Sequence, residues 1–397
     1  MKNTNDKSNR ITTHHSTDRS WAIHHGDVNK VLPTLPPVTF DGVFCDPPYG
    51  LNFMRHDWDE SIPPATVFQG LLRLCKPGGY LLAFGHPKTF HRLACNIEDA
   101  GWKLRDTLCW LHGEGFPKSH NISKSIDKKL GAKRQRVGKT KAIYRYGHNK
   151  SDKEIEITTP GSDEAKLWDG YGTALKPAWE PIILAMKPVD GTIAENALTR
   201  GNGGLNINEC RIGTSGGSTR SHQPEYPRSG HDVKQIDKGR LPANLILDEE
   251  AAAVLDEQSG KSKSRRSRRR KADSNVGNGK TLSAFRSRMD VVDGYDDEGG
   301  ASRFFYCPKA KGKERQDNDH PTVKPLALCE YLARLILQPK RETPRRLLVP
   351  YSGSGSEMIG ALSAGWDHVT GIEKDDQYVA TARRRLSEHK DEFARPA

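Results

Sequence analysis

The chain has 397 residues, 35% of them hydrophobic, and a formal net charge of +12 at pH 7, with a mean hydropathy of −0.74. No stretch approaches the ~20 apolar residues that a membrane span requires, and the polar start from Met1 to Arg10 lacks the apolar region of a secretory signal. Seven cysteines (Cys45, Cys75, Cys95, Cys109, Cys210, Cys307 and Cys329) never fall in C-x-x-C spacing, which fits a reducing compartment and argues against a zinc site or other metal centre.

Residues 1–20 read as disordered. A short strand over 21–25 ends in Gly26-Asp27, and residues 28–35 form a helix or turn stopped by Pro36-Pro37. Val43-Phe44-Cys45 reads as the end of a buried strand. Asp46-Pro47-Pro48-Tyr49 follows it. The two prolines have no N–H to donate and have fixed φ, so they force a stiff, extended exit from the sheet. A carboxylate, the Pro47 carbonyl and an aromatic ring are thereby presented at the carboxyl edge of a strand, where open α/β sheets bind ligands. Two acceptors suit a group with two N–H donors, and a tyrosine face suits a flat ring. Together they describe a pocket for an exocyclic amino group on a nucleobase.

Residues 71–75 read as helical and Lys76-Pro77-Gly78-Gly79 as their stop. A continuous apolar strand over 80–85 is of the parallel, doubly covered type. A helix over 88–100 closes at Gly101, and 104–111 is a further strand. From 114 to 300 the composition turns to Gly, Pro, Asn, Ser and charge, with isolated strands at 180–186 and 245–247. The basicity is concentrated here. Residues 124–150 carry ten Lys/Arg against one Asp, and residues 261–271 carry eight and no acid, so these two segments hold +9 and +8 and the remainder is −5. Clustering of this kind fits a polyanion, whose condensed counterions Lys and Arg displace. Lys133, Arg134, Arg136, Lys139, Lys141 and Arg145 are the candidate nucleic-acid contacts.

The α/β pattern returns after residue 303. A helix over 325–337 has Pro325 near its start. A strand over 346–349 leads through Tyr351-Ser352-Gly353-Ser354-Gly355 into a helix over 356–364. Small residues let the backbone approach a ligand, and the helix start offers free N–H groups. Glu373 ends the next strand, 18 positions after Gly355, where an acid accepts hydrogen bonds from ribose hydroxyls. A ribose-binding acid and the lack of a Walker lysine favour a neutral or zwitterionic nucleoside cofactor. A helix over 378–386 ends the pattern. The fold class is therefore α/β, a Rossmann-like sheet with right-handed crossovers. A long insertion splits it. The boundaries are a disordered 1–20, a catalytic half over 21–113, an insertion over 114–300 and a cofactor-binding half over 301–390.

In this order the motifs resemble DNA amino-methyltransferases that use S-adenosylmethionine, in the β arrangement, where the catalytic half precedes the target-recognition region and the cofactor loop comes last. The resemblance covers roughly residues 20–112 and 303–387. Residues 116–119, 175–181 and 301–306 are similar to segments of phage and prophage adenine methylases. It implies that Asp46 and the Pro47 carbonyl hold the target amino group beside Pro48 and that Tyr49 stacks on a base flipped from duplex DNA. It further implies that Tyr351 and residues 352–355 surround the methionine part of the cofactor, that Glu373 takes its ribose and Asp27 its base, and that Lys324 and Pro325 lie near its methionine end. The family commonly has Asp-Pro-Phe where this chain has Val349-Pro350-Tyr351. Aspartate at 46 favours adenine N6, since cytosine-N4 relatives usually carry serine there; cytosine N4 is the alternative on the same scaffold. The resemblance points to the cytoplasm of a bacterial or phage-infected cell. Monomer and homodimer both remain open.

Overall fold

The strand Phe40–Cys45 (β3) is buried at every position, and its alternate residues face two different cores. Phe44 belongs to one apolar cluster, Val43 and Cys45 to the other. The same period of two divides Leu82 and Phe84 from Leu81 and Ala83, and Leu347 and Val349 from Leu348. A sheet apolar on both faces must be covered on both.

The computed structural model describes residues 11–51, 59–113, 119–143, 152–213, 239–263, 267–270, 289–292, 297–308 and 323–393. In chain order the other strands are β1 (Thr12–His15), β2 (Trp21–His25), β4 (Cys75–Phe84), β5 (Lys103–Leu111), β6 (Gln135–Ile143), β7 (Asp152–Thr159), β8 (Trp179–Met186), β9 (Leu245–Leu247), β10 (Arg346–Pro350) and β11 (His368–Glu373). Nine of them form one sheet in the order β1-β2-β11-β10-β3-β4-β8-β5-β9. It is parallel except for β1 and β8, which run against their neighbours. The helices are α1 (Val28–Val31), α2 (Ala65–Leu74), α3 (Phe90–Asp99), α4 (Ile122–Leu130), α5 (Asp163–Leu167), α6 (Ile193–Arg200), α7 (Glu249–Ser259), α8 (Leu326–Leu335), α9 (Ser356–Ala364) and α10 (Asp376–Phe393). The buried faces of α2 and α3 pack in one cluster, those of α8 and α9 in the other.

Three expectations change. Residues 12–15 are not disordered. They pair with β2, Thr12 beside His25 and His15 beside Ala22. The ladder is held by backbone groups, and an edge strand has no need of apolar side chains. Secondly, 76–79 do not separate helix from strand. β4 starts at Cys75 and absorbs them with a register shift against β3 between Phe40 and Gly42. Thirdly, the stretch 114–300 is not wholly outside the sheet, because β8 lies between β4 and β5, and β9 borders β5. What does stand apart is the β6–β7 hairpin, a sheet of its own. In the second basic segment Ser262–Lys263 pairs with Glu298–Gly299, and Ser267–Arg270 with Met289–Val292.

Candidate active site

Strand register lines up the expected site residues. Val43 pairs with Leu348 across β3 and β10, so Asp46 and Tyr351 leave the sheet at the same level. Pro350 pairs with Ile372 and Glu373 with His25. Asp46, Tyr351, Glu373 and Asp27 thus stand in a row along the carboxyl edge, although Asp46 and Glu373 are more than 300 residues apart in sequence.

Asp46 belongs to a four-membered cluster in which Lys324 touches the other three, Asp46, Tyr49 and Glu180. The Tyr49 hydroxyl donates to Asp46 Oδ1 at 2.6 Å. Lys324 Nζ lies 3.1 Å from Asp46 Oδ2, donates to Tyr49 Oη at 3.0 Å and to Glu180 Oε2 at 2.9 Å. The ammonium also sits 4.6 Å from the Phe84 ring centroid and 5.4 Å from that of Tyr49, within cation–π range. The Lys324 side chain is 5% exposed. Burial alone would pull its ammonium down, but the charges of Asp46 and Glu180 outweigh that and hold it well above the ordinary lysine value. Burial and the Asp46 charge push the Tyr49 phenol well up, so it remains a proton donor. Burial also raises Asp46, and the Lys324 charge opposes this by favouring the carboxylate.

The loop after β3 is clamped. Asp59, 2% exposed, accepts the backbone N–H of Tyr49 at 2.7 Å, of Gly50 at 3.0 Å and of Leu51 at 3.2 Å. Thr89 Oγ1 donates to the Tyr49 carbonyl at 2.8 Å. Pro47 is buried and Pro48 half-buried. Sequence reasoning gave no role to Asp59 or Glu180. The segment Trp179-Glu180-Pro181 carried only a weak similarity, and an acid at the start of β8 becomes meaningful only once β8 is known to lie beside β4.

The turn between β10 and α9 is left-handed at three positions. Gly353 and Gly355 adopt φ of +48° and +84°, and Tyr351, unusually for a residue with a side chain, +59°. A Cβ on Gly355 would lie 3.1 Å from that of Ala382. Arg385 on α10 pins the turn, donating from Nη1 to the Ser354 carbonyl at 2.6 Å, to Ser354 Oγ at 3.0 Å and to Ser356 Oγ at 3.1 Å. Ser352 is 1% exposed and its hydroxyl has no hydrogen-bond partner. Val349, where the resemblance expects an acid, is in the core. One turn beyond, Glu357 is 5% exposed, and burial together with the Asp46 charge pushes its carboxyl up to about 7.

Glu373 is held by three backbone donors: Gly353 N on Oε2, and Lys374 N and Asp375 N on Oε1, each at 2.8 Å. Burial nevertheless raises its carboxyl. Asp27 caps α1, accepting from Asn29 N at 2.9 Å, and lies 3.6 Å from Lys374 Nζ. Pro325 directly precedes α8.

The expected nucleic-acid contacts separate into different environments. Lys133 is exposed. Arg134 is structural: it donates to Asp127 Oδ2 at 2.6 Å, Ser123 Oγ at 3.0 Å and Thr158 Oγ1 at 2.9 Å. Arg136 pairs with Glu156 at 3.1 Å and Lys139 with Glu154 at 2.5 Å across the hairpin. Lys141 lies on β6, and Arg145 lies outside the described residues. Among the described residues no group of three or more His, Cys, Asp or Glu could hold a metal ion, and no helix is long and apolar enough to cross a membrane.

The chain matches the N6_N4_Mtase family model, DNA methylase, over residues 40–384. No curated protein sequence matches it. Among solved structures it is similar to M1.HpyAVI, at 13% identity with 92% of this chain and 98% of that chain covered and a TM-score of 0.39. It is similar to TTHA0409 of Thermus thermophilus, solved in complex with S-adenosyl-L-methionine, at 15% identity with 92% and 93% covered and a TM-score of 0.39. A third is the PvuII DNA methyltransferase (cytosine-N4-specific), at 13% identity with 94% and 90% covered and a TM-score of 0.40.

Proposed function

The chain belongs to the N6_N4 DNA methylase family, and from that premise we propose that it transfers a methyl group from S-adenosylmethionine to the N6 amino group of an adenine flipped out of duplex DNA. The observation that carries the reading is the cluster of Asp46, Tyr49, Lys324 and Glu180 standing level with the glycine turn of β10.

The turn suits a nucleoside cofactor with a methionine tail. Tyr351 and residues 352–355 would surround the tail, and the buried, unpartnered Ser352 hydroxyl is a polar group left for it. Glu373 would take the ribose and Asp27 the base. Bound there, the cofactor supplies an electrophilic methyl group.

The exocyclic amine of adenine is a poor nucleophile because its lone pair is delocalised into the ring. A carboxylate has about four acceptor sites. Tyr49 Oη and Lys324 Nζ each use one on Asp46, which leaves room for an N–H of the target amine, with the Pro47 carbonyl taking the other. Both bonds strengthen as nitrogen becomes positive, so the site favours the transition state over the bound base. Asp46 and Glu180 against Lys324 leave one net negative charge beside that nitrogen. The Asp59 clamp on the Tyr49 backbone fixes the ring on which the flipped base stacks, offsetting part of the few kcal/mol of unstacking.

Mass spectrometry of nucleosides from DNA treated with the protein tests the target. N6-methyladenine is expected; N4-methylcytosine would overturn the adenine assignment. Asp46→Ala should cut methyl transfer by at least about a hundredfold while cofactor binding, read by calorimetry, survives. Retained transfer would remove Asp46 from the site.

A further inference from the structure

We infer that Glu357 is the counter-ion for the α-ammonium group of bound S-adenosylmethionine, an inference that rests on the cofactor reading above. Glu357 is the second residue of α9, directly beyond the glycine turn. It is 5% exposed. Among the described residues no Lys, Arg or His side chain forms an ion pair with it, and its own backbone N–H favours the carboxylate.

The charged groups that face it come from three elements: Asp46 after β3, Lys324 before α8, and Arg385 on α10. Each cation is committed elsewhere. Lys324 is bound to Asp46, Tyr49 and Glu180. Arg385 directs Nη1 at Ser354 and Ser356. Two thiols, Cys45 on β3 and Cys329 on α8, lie in the same electrostatic neighbourhood, and burial keeps both protonated. A buried carboxylate without a cation is a costly arrangement in a folded protein. The same turn holds a second unpartnered polar group, the Ser352 hydroxyl. An acid without a cation and a hydroxyl without a partner around one turn match an amino-acid zwitterion: the ammonium takes Glu357, and the hydroxyl donates to the carboxylate. Burial and the Asp46 charge hold the carboxyl near neutrality. An arriving ammonium favours the ionised form, so the proton is expelled on binding.

The test compares two probes by calorimetry. S-adenosylhomocysteine carries the amino-acid zwitterion, and 5′-methylthioadenosine has the same nucleoside thioether without it. Glu357→Gln should weaken S-adenosylhomocysteine by roughly ten- to a hundredfold, as expected for loss of a hydrogen bond to a charged group, and leave 5′-methylthioadenosine unchanged. Wild type should release about half a proton at pH 7 on binding S-adenosylhomocysteine, seen as a buffer-dependent enthalpy. Glu357→Gln should lose that release, and Glu357→Asp should keep it. Equal weakening of both probes would show a merely structural role, and unchanged affinity for S-adenosylhomocysteine would remove Glu357 from the site; either overturns the inference. If wild type binds neither probe, the cofactor reading itself falls and this assignment with it.

Discussion

Glu180 is the residue through which the chemistry of the site can be probed without touching the reacting groups. It holds Lys324 at 2.9 Å, and Lys324 in turn holds Asp46 and Tyr49. Glu180→Gln keeps the shape and one acceptor oxygen but removes a negative charge beside the target nitrogen. We expect kcat to fall by roughly tenfold with the KM for cofactor unchanged, since the loss is felt in the charged transition state and not in ground-state binding. An unchanged kcat would show that Glu180 only fills space. Glu357 offers a second residue-scale measurement, on stability. Its folded-state value of about 7 lies above the ordinary 4.5, so the folded state binds the proton more tightly than the unfolded one. Stability from this group is therefore fully present below pH 4.5 and falls as pH rises through about 7, by on the order of 3 kcal/mol in all. Urea unfolding of the ligand-free protein at about pH 5 and about pH 8 should show this fall in wild type and a smaller one in Glu357→Gln. Equal pH dependence in the two proteins would mean that the carboxyl is solvated.

At the scale of elements, one acid organises the module beside the sheet. Asp127 near the end of α4 accepts from Gly161 N at 3.0 Å, Ser162 N at 3.0 Å, Ser162 Oγ at 2.8 Å and Arg134 Nη1 at 2.6 Å. These bonds, the Gly161 N–H foremost, hold its carboxyl below the usual range. They tie α4 to the start of β6 and to the turn that opens α5. Asp127→Ala leaves Arg134 without its carboxylate and should loosen the whole module. DNA binding by fluorescence anisotropy is expected to weaken by tenfold or more, with S-adenosylhomocysteine affinity intact. A drop in both would mean that the module and the sheet unfold together. Legibility from sequence follows the range of the forces involved. The strand over 21–25 and the helix over 356–364 were readable because apolar period, glycine stops and helix starts are local signals, and they appear with those same bounds; the next strand ends at Glu373 as read. The acid–Pro–Pro–Tyr exit and the glycine turn were readable for the same reason. β1 was not, because its partner is a backbone and its side chains are polar. Lys324 was readable as a residue before a helix, and the resemblance set it near the methionine end of the cofactor, not against Asp46. Its bond to Asp46 spans nearly 280 positions and depends on α8 reaching the carboxyl edge, which no local pattern encodes. Glu180 was hidden likewise, since its partner Lys324 lies 144 positions away; Asp59 is only 8 to 10 positions from the backbone it clamps, but a lone acid in a loop carries no periodic signal.

At the scale of the whole molecule, the net charge of +12 conceals how few of the basic groups in the first segment are available to a polyanion. Arg134 is spent on Asp127, and Arg136 and Lys139 have acidic partners across the hairpin. Lys124, Lys128 and Lys129 on α4, and Lys133 after it, are exposed and have no ion-pair partner among the described residues. If duplex DNA lies along α4, these four lysines displace counterions, whereas a paired arginine first gives up its carboxylate and so contributes less. Each phosphate contact adds about 0.9 to the slope of log K against log salt. Replacing Lys124, Lys128, Lys129 and Lys133 with glutamine should therefore flatten that slope by roughly 3 to 4, and replacing Arg136 and Lys139 should flatten it by less than about 1. Anisotropy titrations between about 50 and 200 mM salt read both slopes directly. If the hairpin pair proves the steeper contributor, the β6–β7 ribbon and not α4 is what meets the phosphates, with its cross-strand ion pairs broken on binding.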